Sequence, residues 1–170
     1  MNIKITDFGF ACFFDPTEGL KDVLGSPLYM APEIIKEKKY DQRVDMWSCG
    51  VIAYILLSGR PPFRGKAKQE IFNSIENSPL KFDHPIWDRL TKESKDFIKA
   101  ALEKDYTKRP SALELLDHEW IRKQVKYPQI EEGEMIDIVS NLKEFTVNFQ
   151  FNFCRKPQYS KVEFWLSLLI

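Results

Sequence analysis

The sequence has few cysteines, and Cys12, Cys49 and Cys154 are odd in number, far apart and without CxxC spacing. That pattern excludes a disulfide framework and a zinc site built on paired thiolates, and leaves a reducing, cytoplasmic setting as the expectation. No run reaches the roughly 18 apolar residues that span a bilayer, so no membrane span is expected. The N-terminus lacks the basic region and apolar stretch of an export signal. Neither sign of charge is in excess, with 25 Lys and Arg against 25 Asp and Glu. This balance argues against a nucleic-acid partner, and charge alone identifies no other. Internal repeats and low-complexity segments are absent too.

What is present describes a folded domain. At 170 residues, 44% hydrophobic and 29% charged, the chain is long enough to bury a sizeable core. Residues 2–6 alternate Ile3 and Ile5 with polar neighbours, a short strand signal. Residues 10–30 hold no period and are broken by Pro16, Gly19 and Gly25, so they form a long loop, a length that usually marks function. A helix fits 41–58, with Asp41 as N-cap and Gly59 just past the end. Apolar residues occupy all its faces, which marks a buried central helix. Further helices are predicted over 66–77, carrying Ile71, Phe72 and Ile75, and over 91–103. Another opens at Ser111, whose capping box with Glu114 precedes Leu115 and Leu116. The fold class is mainly α.

Five motifs stand in order along this framework. Asp7-Phe8-Gly9 comes first, then "GSPLYMAPE" ending at Glu33, then "DMWSCG" from Asp45 on the central helix. Last come "LLSGRPPF" and "KDYTKRPSALELLDHEWI", the latter containing Arg109. Alone, Asp7 reads as a solvated turn residue, Phe8 as ordinary core and Ser26 as a local cap. The ordered set resembles the C-terminal half of a eukaryotic protein kinase domain, over about 120 of the 170 residues.

The resemblance implies ATP and Mg²⁺ as cofactors and protein substrates as partners. Asp7 would be the cofactor and metal ligand, its carboxylate clamping the cation that bridges two phosphates. Phe8 would pack inward and set where Asp7 points, with Gly9 as the pivot. Gly25, Ser26, Pro27, Leu28 and Tyr29 would form the substrate loop, and the Ser26 hydroxyl there implies Ser/Thr rather than Tyr specificity. Glu33 and Arg109 would join in a buried ion pair, and Asp45 would accept hydrogen bonds from the catalytic-loop backbone. Thr17, the one hydroxyl residue between Gly9 and Gly25, is a possible phosphosite, set against a plain solvated loop position. The arginine that usually receives such a phosphate is not in this sequence, and Asp15, Glu18 and Asp22 offer constitutive charge instead.

Other kinase elements are also missing from the 170 residues. There is no GxGxxG loop, strand lysine, paired helix glutamate or HRDxxxxN, so the C-lobe is expected to lack the N-lobe and catalytic loop. The chain as given is expected to be inactive, with Met1 marking a truncated gene model, a fragment or a degenerate copy. "LLSGRPPF" and "YDQRVDMWSCGVIAYIL" are most similar to the calcium-dependent protein kinases, which implies a calcium-sensing module in the full-length protein. The expected domains are a partial kinase domain over 1–121, a helical junction over 122–149 and an atypical tail over 150–170. The tail, ending in "VEFWLSLLI", departs from the family and shows no calcium-binding EF-hands. Ile138, Leu142 and Phe145, with Met135 a turn earlier, form a stripe that is autoinhibitory by resemblance. Packing on the domain's own core is the competing reading. A non-catalytic, kinase-like binding module is the alternative to an enzyme.

Overall fold

The computed structural model describes residues 5–126, together with Ser140 and Lys143. The expected autoinhibitory stripe and the tail over 150–170 lie outside the described residues. A 3-10 turn at Pro27–Tyr29 is followed by α1 (Pro32–Ile35), α2 (Arg43–Ser58), α3 (Lys68–Asn77) and α4 (Ile86–Arg89), then α5 (Lys92–Ala101), α6 (Ala112–Leu116) and α7 (Glu119–Lys126).

The central helix α2 organises the rest. Trp47, Val51, Tyr54 and Ile55 are buried along it. It packs against α5, α4 and the 3-10 turn. At Gly50 a Cβ would lie 2.8 Å from the Ala101 Cβ, so only a glycine lets α2 and α5 approach this closely. The helix ends where Gly59 turns left-handed at φ 70°, its N–H donating to the Ile55 carbonyl at 2.8 Å. It starts two residues later than the sequence predicts. Asp41 acts from outside the helix: its Oδ1 accepts the Arg43 N–H at 2.8 Å, and Gln42 stands in the cap position.

The remaining helices follow local chemistry. Ile71 and Ile75 are fully buried on one face of α3. Lys66, expected as its first residue, stays outside, its N–H bonded to Glu70 Oε2 at 2.8 Å. Thr91 caps α5 by accepting the Ser94 N–H, and Ser111 and Glu114 close a reciprocal capping box on α6. Helices α1 and α4 escape the sequence reading because four residues are too few to show a period. The strand expected over 2–6 is not formed where the structure describes it. Ile5 and Thr6 are irregular, since no described neighbour takes their backbone bonds, and residues 2–4 lie outside the described set. Among the described residues the one β-type pairing is an isolated antiparallel bridge, Leu20 with Tyr40.

A single apolar cluster joins these elements. Tyr54, Phe82 and Trp87 meet with ring centroids 4.7–5.9 Å apart, and Trp47 stacks on Phe63 at 5.6 Å. Leu28, Met30 and Ala31, from the expected substrate loop, belong to the same cluster. The loop is therefore part of the core rather than a strap lying over it.

Candidate functional site: the substrate loop and its clasp

The loop leading into α1 is fixed to the helical body at three points. Leu28 and Met30 are buried against α2 and its neighbours. The Ser48 hydroxyl on α2 donates to the Tyr29 carbonyl at 3.0 Å. Glu33, in the first turn of α1, meets Arg109 in a two-pronged pair, Nη1 to Oε1 at 2.6 Å and Nη2 to Oε2 at 3.0 Å. Both side chains are essentially sealed, at 0% and 2% exposure.

Arg109 does more than neutralise a charge. Its Nε donates to the Glu103 carbonyl at 2.9 Å and Nη1 to the Arg43 carbonyl at 3.0 Å, while its guanidinium lies 5.1 Å from the Trp47 ring. One planar fork thus joins α1, the start of α2 and the turn after α5. A lysine has neither the number nor the geometry of donors to do this.

Within the loop, Gly25 has φ 108° and Pro27 starts the 3-10 turn. Ser26 holds the N-cap position without a cap bond, and among the described residues its hydroxyl has no partner. The local-cap reading therefore does not account for it. Burial pushes the Tyr29 phenol above its usual range.

Asp7 adopts a left-handed backbone with φ 61°, uncommon for a residue with a side chain and concentrated at functional sites. Its Oδ1 accepts the Gly9 N–H at 3.2 Å. Mg²⁺ uses one or two protein carboxylates and takes its other oxygens from water and phosphate. Asp7, exposed and with Oδ2 uncommitted, fits that role as a single ligand. Among the described residues no three His, Cys, Asp or Glu gather as an all-protein metal site. Phe8, expected to pack inward, is instead 69% exposed, because no side chain of the described core extends to it. Ile5, Phe10 and Phe13 are exposed beside it in sequence.

Asp45 faces outward from α2 with Cys49 and Ile52, the one open face of that helix. Partial burial raises the Asp45 carboxyl above its ordinary range, and among the described residues nothing hydrogen-bonds to it. Thr17 is exposed, its hydroxyl donating to Asp15 Oδ1 at 2.7 Å. Two contributors escape the sequence reading. One is Ser48, and the other is Lys104, whose Nζ donates to the Glu76 and Ser78 carbonyls at 3.1 and 2.6 Å and so closes the C-terminus of α3. Burial, with Lys36 nearby, lowers the affinity of the Lys104 amine for its proton.

A helical lobe that roots the loop before α1 in its core and clasps it with a buried Glu–Arg pair agrees with the comparison of whole sequences. Residues 1–121 match the protein kinase domain, and the chain belongs to that family. Among curated proteins, the chain is 41% identical over 145 residues to "Calcium-dependent protein kinase 8" of Arabidopsis thaliana, covering 85% of this chain and 27% of that protein. It is 39% identical over 149 residues to "Calcium-dependent protein kinase 20" of Oryza sativa subsp. japonica, covering 88% and 26%. The rice "Calcium-dependent protein kinase 2" is 40% identical over 155 residues, covering 88% and 28%. The chain spans about a quarter of the length of these relatives. The similarity runs past residue 121, beyond the family match. No helix among the described residues is long and apolar enough to cross a membrane.

Proposed function

We propose that these residues are the C-terminal part of the catalytic domain of a Ser/Thr protein kinase of the calcium-dependent type, followed by a regulatory junction. In the complete enzyme Asp7 holds the Mg²⁺ of MgATP, whose chemistry is to neutralise charge on the transferring phosphoryl group. Ser26 orients the acceptor end of the site, and Gly25, Pro27, Leu28 and Tyr29 carry the residue next to the acceptor hydroxyl. Asp45 receives the backbone of the catalytic loop on the open face of α2. The junction stripe Ile138, Leu142 and Phe145 occupies the substrate cleft until a calcium-sensing module withdraws it. The partners are protein substrates and that module.

The observation that carries this reading is the clasp of Glu33 and Arg109, which fixes the loop after Gly25 to the helical core. Binding MgATP and abstracting a proton require groups outside these 170 residues, so the chain alone transfers no phosphoryl group. The test joins the chain to the N-terminal part of a relative's kinase domain and measures transfer from MgATP to a basic peptide. The joined protein should be active, Asp7→Asn should abolish transfer, and Leu142→Asp with Phe145→Asp should raise activity without calcium. Turnover by the chain alone, or a folded but inactive joined protein, would count against the assignment. The second outcome would favour a non-catalytic binding module.

A further inference from the structure

The segment between α2 and α3 carries Arg60, Arg64 and Lys66, and Lys68 opens α3, so that four cations stand within nine residues with no acid among them. Such a run is ordinarily a solvated face with its side chains loose in water. Here the backbone that bears it is ordered from beneath. The Ser58 hydroxyl donates to the Arg60 carbonyl at 3.1 Å, and Phe63 is buried in its stack on Trp47. The Arg64 N–H donates to the Ser74 hydroxyl at 3.3 Å and the Lys66 N–H to Glu70 Oε2 at 2.8 Å, so the segment is fastened to α3 at two points. Gly65 makes that approach possible, since a Cβ there would stand 2.6 Å from the Ile71 nitrogen.

The charges themselves are not neutralised within the described residues. Arg64, Lys66 and Lys68 are exposed, and among the described residues none of the three makes an ion pair. Arg64 Nε donates to the neutral Pro61 carbonyl at 3.1 Å, and the Lys68 ammonium stands 5.2 Å from the Phe72 ring centroid. Both contacts hold a side chain in place without cancelling its charge. The acids nearest this group are Glu70, already bonded to the Lys66 N–H, and Asp83, whose charge reaches the Tyr54 phenol as that of Arg64 does. Helix α3 packs in turn against the Pro27–Tyr29 turn and α1. The three cations therefore stand on, or just before, the helix that neighbours the loop before α1.

We propose that Arg64, Lys66 and Lys68 form a recognition site for acidic residues of the protein substrate, Asp or Glu flanking the residue seated in the loop before α1. The substrate class rests on the kinase reading, whereas the affinity of the site for carboxylates does not. The occupant is a carboxylate-rich peptide rather than a single phosphate. Three cations spread along an exposed edge suit several dispersed charges, while a phosphate calls for converging donors, and the Lys66 N–H is already given to Glu70. Because the segment is fixed on α3 beforehand, binding has to order only the side-chain ends and the peptide. Charge placed at such a rim acts chiefly on encounter and on the choice between partners, and it fades with salt.

The experiment measures, by fluorescence anisotropy at low salt, how the full 170-residue chain binds a labelled serine peptide flanked on both sides by aspartates. This peptide should bind about tenfold more tightly than its asparagine counterpart, since exposed charge pairs contribute roughly 1.5- to 5-fold each. Arg64→Gln, Lys66→Gln and Lys68→Gln together should remove that advantage. Arg64→Glu, Lys66→Glu and Lys68→Glu together should transfer the preference to a lysine-flanked peptide. All three side chains are exposed, so neither variant disturbs the core. Lys38→Gln with Lys39→Gln removes equally exposed cations between α1 and α2 and should keep the preference. Equal affinity for the aspartate and asparagine peptides, or the same loss from both sets of Gln variants, would overturn the site. Tighter binding after Glu131, Glu132, Glu134 and Asp137 are changed to their amides would replace the substrate, as occupant, by the chain's own acidic run. In the joined protein, kcat/KM should favour the aspartate peptide by a similar factor. An active joined protein without that preference would overturn the substrate class and leave the kinase reading standing. An inactive one would count against the kinase reading, and the binding measurement would still decide the site.

Discussion

Replacing Arg109 by Met tests whether the clasp holds the loop before α1. Met fills much of the same space, so the cost comes mainly from what is stranded rather than from a cavity. Glu33 is left as a buried carboxylate without its partner, a situation that typically costs about 3–5 kcal/mol. The Glu103 and Arg43 carbonyls also lose their donors, at about 1–3 kcal/mol each where water cannot replace them. A loss of at least about 4 kcal/mol is large against the roughly 5–15 kcal/mol that stabilises a whole domain. Urea unfolding followed by tryptophan fluorescence reads it directly, since Trp47 lies against the guanidinium. With an m-value of about 1–3 kcal/mol per M, the midpoint should fall by roughly 1–4 M. Adding Glu33→Leu removes the stranded charge, so the double variant should be more stable than Arg109→Met alone. A single variant within about 1 kcal/mol of the parent, or a double variant less stable than the single, would refute the reasoning.

Three further outcomes follow from other parts of the structure. Gly50→Ala forces a methyl into the contact with Ala101 and should cost about 1–3 kcal/mol, read as a lowered thermal midpoint, and an unchanged midpoint would mean that α2 and α5 separate freely. Lys104→Met removes both donors from the end of α3 and should speed amide exchange there while leaving α5 unchanged; uniform exchange across both helices would contradict a local capping role. Because the folded-state acid constant of Asp45 is raised above the ordinary 3.8, the folded chain keeps a proton that the unfolded chain gives up just above that pH. Stability should therefore fall as pH rises from 3.8 through the raised value, and Asp45→Asn should flatten that slope in pH-dependent unfolding.

Much of the framework is legible in the sequence because it repeats. The all-round apolar pattern of α2, the stripe of Ile71 and Ile75 and the Ser111–Glu114 box are local signals, and each sits on its expected helix. Helix starts shift by one or two residues where side chains such as Asp41 and Glu70 reach the backbone from outside the period. Glu33 and Arg109 leave no periodic trace. Two charges so far apart are brought together only by the resemblance, and their contacts with the Glu103 and Arg43 carbonyls and with Trp47 are visible only in three dimensions. Ser48 and Lys104 are similar, as hydrophilic side chains that serve backbone carbonyls distant in sequence. Phe8 departs from expectation for a different reason, since an aromatic residue names a wish for burial without naming the surface that supplies it.

The separation of the clasp's two halves also bears on how the chain is made. Glu33 leaves the ribosome 76 residues before Arg109. At about 5–20 residues per second, that is a wait of roughly 4–15 s. Through that interval the carboxylate has no partner, and Leu28, Met30 and Ile34 have only part of their core to enter. The nascent loop is thus an apolar segment exposed to other chains and to chaperones for seconds. A slow codon upstream of residue 109 would lengthen that wait, and a premature stop there would release a chain in which the loop before α1 has no means of locking.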